Sequence, residues 1–479
     1  MQYKWTALTV TSVGNIMAGL DIRILVIGLP TVASQLHTGP EEVIWISQSY
    51  LLASTVSLLL FGRIADLFGR VKLYNIGFVI FTAGSGLSAI SSNSYELIGF
   101  RAIQGIGAAL LNSSSAAIIT DAAPKQQLGL MLGLGQTAFR AGSIAGLTLS
   151  GLILSFVNWR GLFYVNVPIG FFGTVWSYIK LREIATKDVS KKIDWKGFVL
   201  FCIGLTLTLL SITFLSYGTA GLAEGIALLI AGLALIIIFV RIESSESSPM
   251  LDLKLFKNRL FAAANVAQLV STISWTGLLL LVAFYLQIGL GYSPLVAGLG
   301  IIPVEIVYFF SAIINGRLSD KYGSRFLSTS GLVLLVICNL ILSTFGASTP
   351  YSEIAVILAF YGFGVGMFNT PNFSAIMGSV PANRRGIASG FRQTMFNIGS
   401  TVSYGFVILF MTFGIPYTTL NPLLQNIEPQ TVIAAAKSQF FDGFRIAALL
   451  LAAMNAIAIF PSAMRGKKES EPTQAENKN

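Results

Sequence analysis

The most constraining feature of this sequence is a series of apolar stretches, each about 20 residues or longer, that recurs along almost the whole chain. A helix needs about 20 apolar residues to cross the hydrocarbon core of a bilayer. Hydrocarbon offers no partner for open sheet edges, and these stretches are too long for barrel strands. The pattern therefore predicts an all-α integral membrane protein with 14 transmembrane helices, at 5–30, 43–65, 73–92, 95–121, 128–156, 160–182, 196–216, 220–240, 260–288, 293–316, 326–346, 352–378, 386–413 and 440–464.

The composition excludes several functional classes. Hydrophobic residues make up 54% of the chain and charged residues only 11%, whereas a soluble domain carries roughly 25% charged residues. One histidine, His37, and two cysteines, Cys202 and Cys338, leave no metal-ligand spacing. The sequence contains no Gly-x-x-x-x-Gly-Lys-Ser/Thr phosphate-binding loop. We therefore expect neither an enzyme nor a metal or other cofactor.

The positive charges are distributed unevenly among the predicted loops. Most of the net charge of +10 falls in loops on the side of the N-terminus, notably in 180–196, 254–259, 317–325 and 465–478. Loops rich in Lys and Arg remain in the cytoplasm. The pattern predicts a multi-pass protein of the cell (plasma) membrane with both termini cytoplasmic, and it accounts for the charge without a nucleic-acid partner.

A weak internal repeat relates the N-terminal and C-terminal halves of the chain. Gly62–Gly69 matches Gly316–Gly323 at an offset of 254 residues, and Gln136–Ser143 matches Gln393–Ser400 at an offset of 257. Two parallel six-helix copies of this kind are typical of transporters, which place the substrate site near the midplane between the copies.

The repeat divides the chain into two bundles with an insertion between them. Spans seven and eight have no counterpart in either copy, and a Lys-rich and a Ser/Glu-rich connector flank them. The last residues are polar, which is typical of a disordered tail. The predicted units are an N-terminal six-helix bundle, 1–185; an inserted helix hairpin with cytoplasmic connectors, 186–258; a C-terminal six-helix bundle, 259–465; and a disordered cytoplasmic tail, 466–479.

Several motifs resemble a known family. Gly62–Arg70 resembles the loop signature of the major facilitator superfamily, and Arg101–Gly107 resembles its fourth-helix motif. Further stretches are similar to motifs of the fourteen-helix drug–proton antiporters, namely Leu20-Asp21 with Gly28–Pro30, Trp45–Ala53 and Trp159–Gly170. The chain departs from the antiporter pattern at Leu147, where that pattern has proline.

The resemblance implies a major facilitator fold and a secondary active transporter, of the proton-coupled multidrug type, that exports amphiphilic organic compounds by alternating access. Two alternatives remain open. One is proton-coupled transport or uniport of a polar or anionic metabolite, which Arg140 and Leu147 favour. The other is a non-transporting receptor or a lipid scramblase on the same fold. The expected partners are a small-molecule substrate, protons and membrane lipids, and we expect a monomer.

Three ionisable residues inside predicted spans are candidates for proton coupling or relay: Asp21, Arg101 and Glu305. An ionised side chain inside a membrane costs several kcal/mol unless it is paired, hydrated or neutralised. A carboxyl that moves between an apolar environment and a neighbouring arginine can therefore exchange a proton for substrate. The resemblance implies that Arg101 lies near the first helix and reaches Asp21. Glu305 suits a second proton or a cationic substrate. The structural alternatives are a fixed ion pair or an interhelical hydrogen bond.

Arg23 and Arg140 are further charges within the predicted spans. Residues i and i+2 of a helix do not face each other, so Asp21 and Arg23 need different partners. Arg140 matches Asn397 in the repeat, so this charge belongs to one half and suits an anionic or carbonyl-bearing substrate; otherwise it pairs with Asp21 or Glu305. The predicted substrate-binding residues are Arg23, Gln48, Tyr50, Asn112, Gln136, Phe139, Arg140, Tyr285, Tyr308, Tyr361, Asn369 and Gln393.

A further set of residues lies at helix–loop junctions of the two repeated motifs. A carboxylate there can cap a helix N-terminus and pair with an arginine across the bundle interface, and glycines allow close backbone approach. We predict that this set gates the cytoplasmic side by holding the outward-open state closed there. The set is Gly62, Asp66, Gly69, Arg70, Asp320 and Arg325.

Overall fold

The computed structural model describes residues 3–124, 127–184, 194–245, 253–380, 385–425 and 430–465. Regular structure in these ranges is helical throughout, without a strand, which confirms the all-α prediction. The α-helices are α1 (Tyr3–Leu36), α2 (Pro40–Phe68), α3 (Arg70–Ile90), α4 (Ser94–Ala122), α5 (Leu128–Phe156), α6 (Gly161–Tyr164), α7 (Asn166–Lys180), α8 (Trp195–Ser216), α9 (Leu222–Ser245), α10 (Arg259–Phe284), α11 (Pro294–Tyr322), α12 (Ser324–Leu342), α13 (Tyr351–Gly378), α14 (Arg385–Thr412), α15 (Tyr417–Gln425) and α16 (Gln430–Ala463).

The helices match the predicted spans in position. Within the described ranges, 13 helices are long and apolar enough to cross a membrane. The remaining predicted span, 43–65, coincides with α2, a helix of 29 residues. The membrane-protein class is therefore confirmed, whereas the number of 14 spans stays a prediction. The predicted tail 466–479 and the connector residues 185–193 and 246–252 lie outside the part of the chain that the structure describes.

The packing of the helices repeats along the chain. In the first half α1 packs against α5, α2 and α3 pack against α4, and α3 also contacts α7. In the second half α10 packs against α14, α11 and α12 pack against α13, and α12 also contacts α16. The same arrangement thus occurs twice, as the sequence repeat indicates.

Small residues bring α1 and α5 into close contact. A Cβ atom at Gly146 would lie 2.6 Å from the carbonyl oxygen of Leu20 on α1. Glycine at such a crossing lets two backbones approach, and this is a main source of helix association in membranes. The glycine therefore supports tight packing even though the neighbouring Leu147 replaces the proline of the antiporter motif.

The two halves meet chiefly through two helix pairs. The pair α5 and α11 is in contact, and so is the pair α2 and α14. A Cβ atom at Gly298, near the start of α11, would lie 2.6 Å from the carbonyl oxygen of Leu147 in the last third of α5. Gln287 of the second half also donates a hydrogen bond to the carbonyl of Ile27 at 3.1 Å. Both contacts lie toward the end of the bundle that is distant from the N-terminus.

The two helices of the predicted hairpin pack against each other. Helix α8 runs along α9 and also contacts α2 and α14, one helix from each half. This position places α8 beside the junction of the two halves.

Replacing Gly146 with alanine tests the α1–α5 crossing. We expect Gly146→Ala to push the helices apart and to lower the free energy of unfolding by about 1–3 kcal/mol, because the added methyl group meets backbone rather than a flexible side chain. The apparent melting temperature of the purified protein in detergent measures the effect.

The matched control is Gly133→Ala on the same helix, where no described atom lies within 4 Å of the added Cβ. This variant should melt at or slightly above the wild-type temperature, because alanine favours helix more than glycine does. Equal melting temperatures for both variants would contradict the importance of the crossing.

Candidate functional site

Asp21 lies fully buried in the middle of α1, and three side chains surround its carboxylate. Arg101 of α4 donates to Oδ2 at 2.7 Å. Gln104 and Asn166 donate to Oδ1 at 2.8 and 2.9 Å. Charge-assisted hydrogen bonds of this kind compensate the burial of a carboxylate and a guanidinium in a low-dielectric interior. The structure thus places Arg101 against Asp21, as the resemblance implies, and coupling by this pair stays a prediction.

The guanidinium of Arg101 is held from several directions. Its Nη1 also donates to Oε1 of Gln104 at 2.6 Å, and Nε donates to the carbonyl of Ile46 at 3.3 Å. Its Cζ lies 4.3 Å from the ring centroid of Tyr50 and 5.8 Å from that of Phe163, distances at which a cation is attracted to a ring. This network therefore ties α1, α2, α4 and the α6–α7 region together.

The second half contains a buried polar network without a charge. Ser274 of α10 accepts hydrogen bonds from Asn455 at 2.8 Å and from Asn339 at 3.5 Å, and it donates to the carbonyl of Leu451 at 2.9 Å. Tyr361 is fully buried beside the same side chains, and its hydroxyl makes no hydrogen bond to a described residue. The hydrogen bonds of Ser274, Asn339 and Asn455 join α10, α12 and α16, and Tyr361 of α13 packs beside them.

The neutral network occupies the place in its half that the Asp21 network occupies in the other. Asn339 corresponds to Ser85 at the offset of 254 residues, and Tyr361 corresponds to Gln104 at the offset of 257. Gln104 donates to Ser85 at 3.2 Å, so both belong to the charged network. The repeat therefore carries a titratable carboxylate in one copy and hydroxyl and amide groups in the other.

A second group of charges lies where the two halves meet, and we call Arg23, Arg140, Glu305, Tyr308 and Trp275 the interface cluster. Glu305 of α11 lies 3.1 Å from Nη2 of Arg23 and 3.9 Å from Nη1 of Arg140. Arg140 also donates to the hydroxyl of Tyr308 at 2.5 Å. Arg23 thus pairs with Glu305 while Asp21 pairs with Arg101, in agreement with the helix geometry, which gives the two residues separate partners. Arg140 also lies beside Glu305, which was one of its two predicted partners, the other being Asp21.

Aromatic rings surround these charges. The Cζ of Arg23 lies 4.8 Å from the centroid of Trp275, and the Cζ of Arg140 lies 4.2 Å from that of Tyr308 and 5.9 Å from that of Phe139. Trp275 and Tyr308 are themselves in edge-to-face contact at 6.1 Å. The cluster therefore combines guanidinium groups with ring faces, which suits a flat organic molecule.

Three further predicted substrate-binding residues lie on α2 and α14, which join the halves, and on α4. Gln48 donates to the carbonyl of Thr401 across the α2–α14 contact at 3.3 Å. Gln393 donates to Asn397 on its own helix at 2.9 Å, and Asn112 is half-buried on α4. Their roles in substrate binding stay predictions.

Other predicted residues are packed inside the second half. Tyr285 stacks on Phe444, with ring centroids 4.5 Å apart, and donates to the carbonyl of Gly346 at 2.9 Å. Asn369 accepts a hydrogen bond from Gln268 at 3.2 Å. Tyr361 belongs to the neutral network described above. The structure therefore does not bring these residues to the interface cluster.

The sequence analysis did not select Gln104, Asn166 or Trp275 as functional candidates. Gln104 and Asn166 lie within motifs that carry the family resemblance, and a polar residue in an apolar span was the signal available. Trp275 occupies the position in the second copy that Asp21 occupies in the first, at the offset of 254 residues. A comparison of each intramembrane charge with the equivalent position of the other copy would have identified Trp275.

The gating residue Arg70 is paired within the first half. Its Nη1 lies 2.6 Å from Oδ1 of Asp121 on α4, and the Glu183 carboxylate accepts from the backbone N–H groups of Arg70 and Val71 at 3.0 Å. Gly69 adopts a φ of 109° beside Glu183, a value that favours glycine. This ion pair joins α3 and α4, which pack side by side, and the pair across the bundle interface stays a prediction.

Two other residues of the gating set, Arg325 and Gly62, lie apart from this ion pair. Arg325 is exposed, and a Cβ atom at Gly62 would meet no described atom within 4 Å, so the expected close approach there is absent from this arrangement. The side chains outside the described part of the chain include those of Asp66, Asp320 and, from the substrate-binding set, Gln136.

The buried pair predicts a clear pattern of stability. We expect Arg101→Gln to lower the free energy of unfolding by about 3–5 kcal/mol, because it leaves the Asp21 carboxylate buried without its counter-charge. The double variant Asp21→Asn/Arg101→Gln should lose clearly less than Arg101→Gln alone. Thermal unfolding of the purified variants at neutral pH measures both, and additive losses would argue against the pairing.

Comparison with known proteins identifies the family. The family model described as Major Facilitator Superfamily matches residues 11–404. The chain is 30% identical to "Riboflavin transporter RibZ" of Clostridioides difficile, over 91% of this chain and 94% of that protein. It is 29% identical to "Multidrug resistance protein Stp" of Mycobacterium tuberculosis, over 89% and 79%, and 28% identical to "Multidrug efflux pump LfrA" of Mycolicibacterium smegmatis, over 91% and 86%.

Solved structures agree at the level of the fold. A bacterial homologue of the human lysosomal transporter Spinster, in an inward-facing and unoccupied conformation, superposes with a TM-score of 0.70 at 15% identity over 97% of each chain. The xylose transporter XylE of E. coli, partially occluded and inward-open, gives 0.62 at 16% identity over 96% and 97%. Together with the match of the family model along most of the chain, these findings show that this protein belongs to the Major Facilitator Superfamily and is a small-molecule transporter, not an enzyme.

Proposed function

We propose that this transporter exports amphiphilic organic compounds in exchange for protons, by alternating access between the halves 1–185 and 259–465. The observation that carries the proposal is the Asp21 carboxylate, which is fully buried in one half and held by three hydrogen-bond donors. A buried carboxylate with such partners costs much less to keep than one without, and it changes its interactions when it takes a proton.

Protonation of Asp21 would link proton binding to helix movement. The added proton removes the negative charge that Arg101, Gln104 and Asn166 hold. Helix α1 then loses its strongest attachment to α4 and α7. Because α1 also carries Arg23, which contacts Glu305 in the other half, a shift of α1 reaches the interface cluster directly.

The sidedness of the proposal follows from the charge of the loops. With both termini in the cytoplasm, the contacts between the end of α5 and the start of α11 close the outer side. The arrangement would then face the cytoplasm, in agreement with the conformation of the Spinster homologue. In the opposite state the gating set of Gly62, Asp66, Gly69, Arg70, Asp320 and Arg325 would close the cytoplasmic side.

The position of the inserted hairpin and the names of related proteins also support this function. Helices α8 and α9 pack against each other beside the junction of the halves, which supports an inserted hairpin and a fourteen-helix protein. We propose that this protein acts as a monomer in the plasma membrane. Relatives named as multidrug resistance or efflux proteins support an organic substrate leaving the cell. The relative named as a riboflavin transporter supports an organic substrate without indicating export.

A second candidate function is uptake or uniport of a polar or anionic metabolite. The observation that favours it is the interface cluster, where two arginines face a single glutamate. Flux measured under imposed gradients in each direction separates the two functions, since an exporter moves compound against the proton flow and a uniporter moves compound without proton flow.

A proton assay in proteoliposomes tests the leading proposal. Vesicles with a trapped pH dye and an imposed pH gradient receive lipophilic cations, anions and neutral amphiphiles in turn. We expect compound-dependent proton movement with the wild-type protein and a loss of about tenfold or more with Asp21→Asn, because the amide cannot carry the proton.

Asp442→Asn serves as the matched control, since Asp442 is an exposed carboxylate on α16 that belongs neither to the Asp21 network nor to the interface cluster. This variant should behave like the wild type. Proton movement that persists unchanged in Asp21→Asn would rule out a coupling role for Asp21. Downhill flux of a compound without any proton movement would favour the uniporter.

A further inference from the structure

The interface cluster contains more positive than negative charge. Arg23 and Arg140 both face Glu305, and among the described residues Glu305 is the only carboxylate within 4.0 Å of either guanidinium. Arg392 of α14 lies close enough to Arg140 to interact with it electrostatically and stacks on Phe373 at 4.8 Å. An uncompensated cation inside a membrane protein is costly, so this region favours an additional anion.

Glu305 is held much less firmly than Asp21. Its side chain is 1% exposed, yet neither carboxylate oxygen makes a hydrogen bond to a described residue. The distance to Arg140 is 3.9 Å, beyond hydrogen-bond range, whereas Arg23 approaches to 3.1 Å. Of the two ion pairs, the one with Arg140 is therefore the weaker and the easier to replace.

Arg140 is also the arginine that a ligand reaches most easily. Its side chain is 21% exposed, compared with 5% for Arg23. The face of Tyr308 lies against its guanidinium, and the indole N–H of the buried Trp275 has no hydrogen-bond acceptor among the described residues. Since the Cζ of Arg140 also lies 5.9 Å from the Trp275 centroid, a cation, two aromatic rings and an indole N–H without an acceptor lie close together.

We propose that the interface cluster binds an aromatic organic anion whose negative group replaces Glu305 at Arg140. Glu305 then remains with Arg23, and each guanidinium has one anion. The ring system of the substrate packs against Trp275 and Tyr308, and the indole N–H donates to the anionic group. This proposal rests on the proposed function only in taking the protein to move organic compounds between its halves; it assigns the interface cluster as their site and names the charge of the substrate, which the function left open.

A cationic substrate fits the same geometry less well. A cation that approached Glu305 would meet Arg23 at 3.1 Å and Arg140 at 3.9 Å from the same carboxylate. Like charges at such distances in a low-dielectric interior repel strongly. Binding of a cation would require both arginines to leave the carboxylate.

A matched set of ligands tests the charge class. The probes are 1-naphthoate, 1-naphthamide and 1-naphthylmethylammonium, which share one ring system and differ in charge. Equilibrium binding to the purified full-length protein is measured by calorimetry at neutral pH without a gradient. We expect naphthoate to bind at least about tenfold more tightly than either of the others, because the naphthoate carboxylate adds a charge-assisted bond to Arg140.

Variants of the cluster separate the roles of its charges. Glu305→Gln should tighten naphthoate binding by about tenfold, since it removes the competing carboxylate while keeping the shape. Arg140→Gln should weaken naphthoate binding by about tenfold or more, and Arg140→Lys should restore part of it, because lysine keeps the charge but not the planar donor fork. Arg160→Gln is the control, because Arg160 stacks on Trp159 and bonds to the carbonyl of Ser91 in the first half; its affinity should equal that of the wild type.

The outcomes distinguish this inference from the proposed function. Equal affinities for the three probes, no binding of any probe, or tighter binding of the ammonium compound that Glu305→Gln weakens would overturn the anion site. Naphthoate binding that follows the predicted variant pattern, with no compound-dependent flux in proteoliposomes, would uphold the site and refute export. Asp21-dependent flux of other compounds without naphthoate binding would do the reverse. A melting temperature near that of the wild type confirms that each variant is folded.

Discussion

A charge inside a membrane protein must find a partner, and this requirement organises the structure. Asp21 and Arg101 are fully or almost fully buried, and each satisfies the other with the help of Gln104 and Asn166. Neither charge would remain in the interior alone, because the cost of removing it from water is several kcal/mol. The pair and its two amide partners therefore hold α1, α4 and α7 together.

The two halves share an architecture but not an electrostatic design. The place that the Asp21 network occupies in the first half holds Ser274, Asn339, Asn455 and Tyr361 in the second, all neutral. Neutral hydrogen bonds respond little to a change in proton concentration, whereas a carboxylate–guanidinium pair does. At this place the structure thus has a buried ion pair in one copy of the repeat and neutral hydrogen bonds in the other.

The interface cluster links the first half's ion pair to the contact between the halves. Arg23 is two residues beyond Asp21 on the same helix, and it contacts Glu305 in the other half. A displacement of α1 therefore changes both networks together. Glu305 also interacts with Arg140, so a ligand that binds there competes with a contact that joins the halves. Under the proposed function, this one carboxylate couples substrate binding to the contact between the halves.

Length and hydrophobicity of the apolar stretches determined the helical membrane class, because both are local properties that a window of about 20 residues contains. Short-range motifs likewise determined the repeat, the superfamily and the need for separate partners of Asp21 and Arg23. Tertiary structure alone decided which partners were chosen. Arg101 lies 80 residues from Asp21, and the hydroxyl that Arg140 binds lies 168 residues away. Such contacts depend on how whole helices rotate and cross. The sequence of a helix with an almost uniformly apolar surface does not show which face meets which neighbour, so these partners could not be predicted.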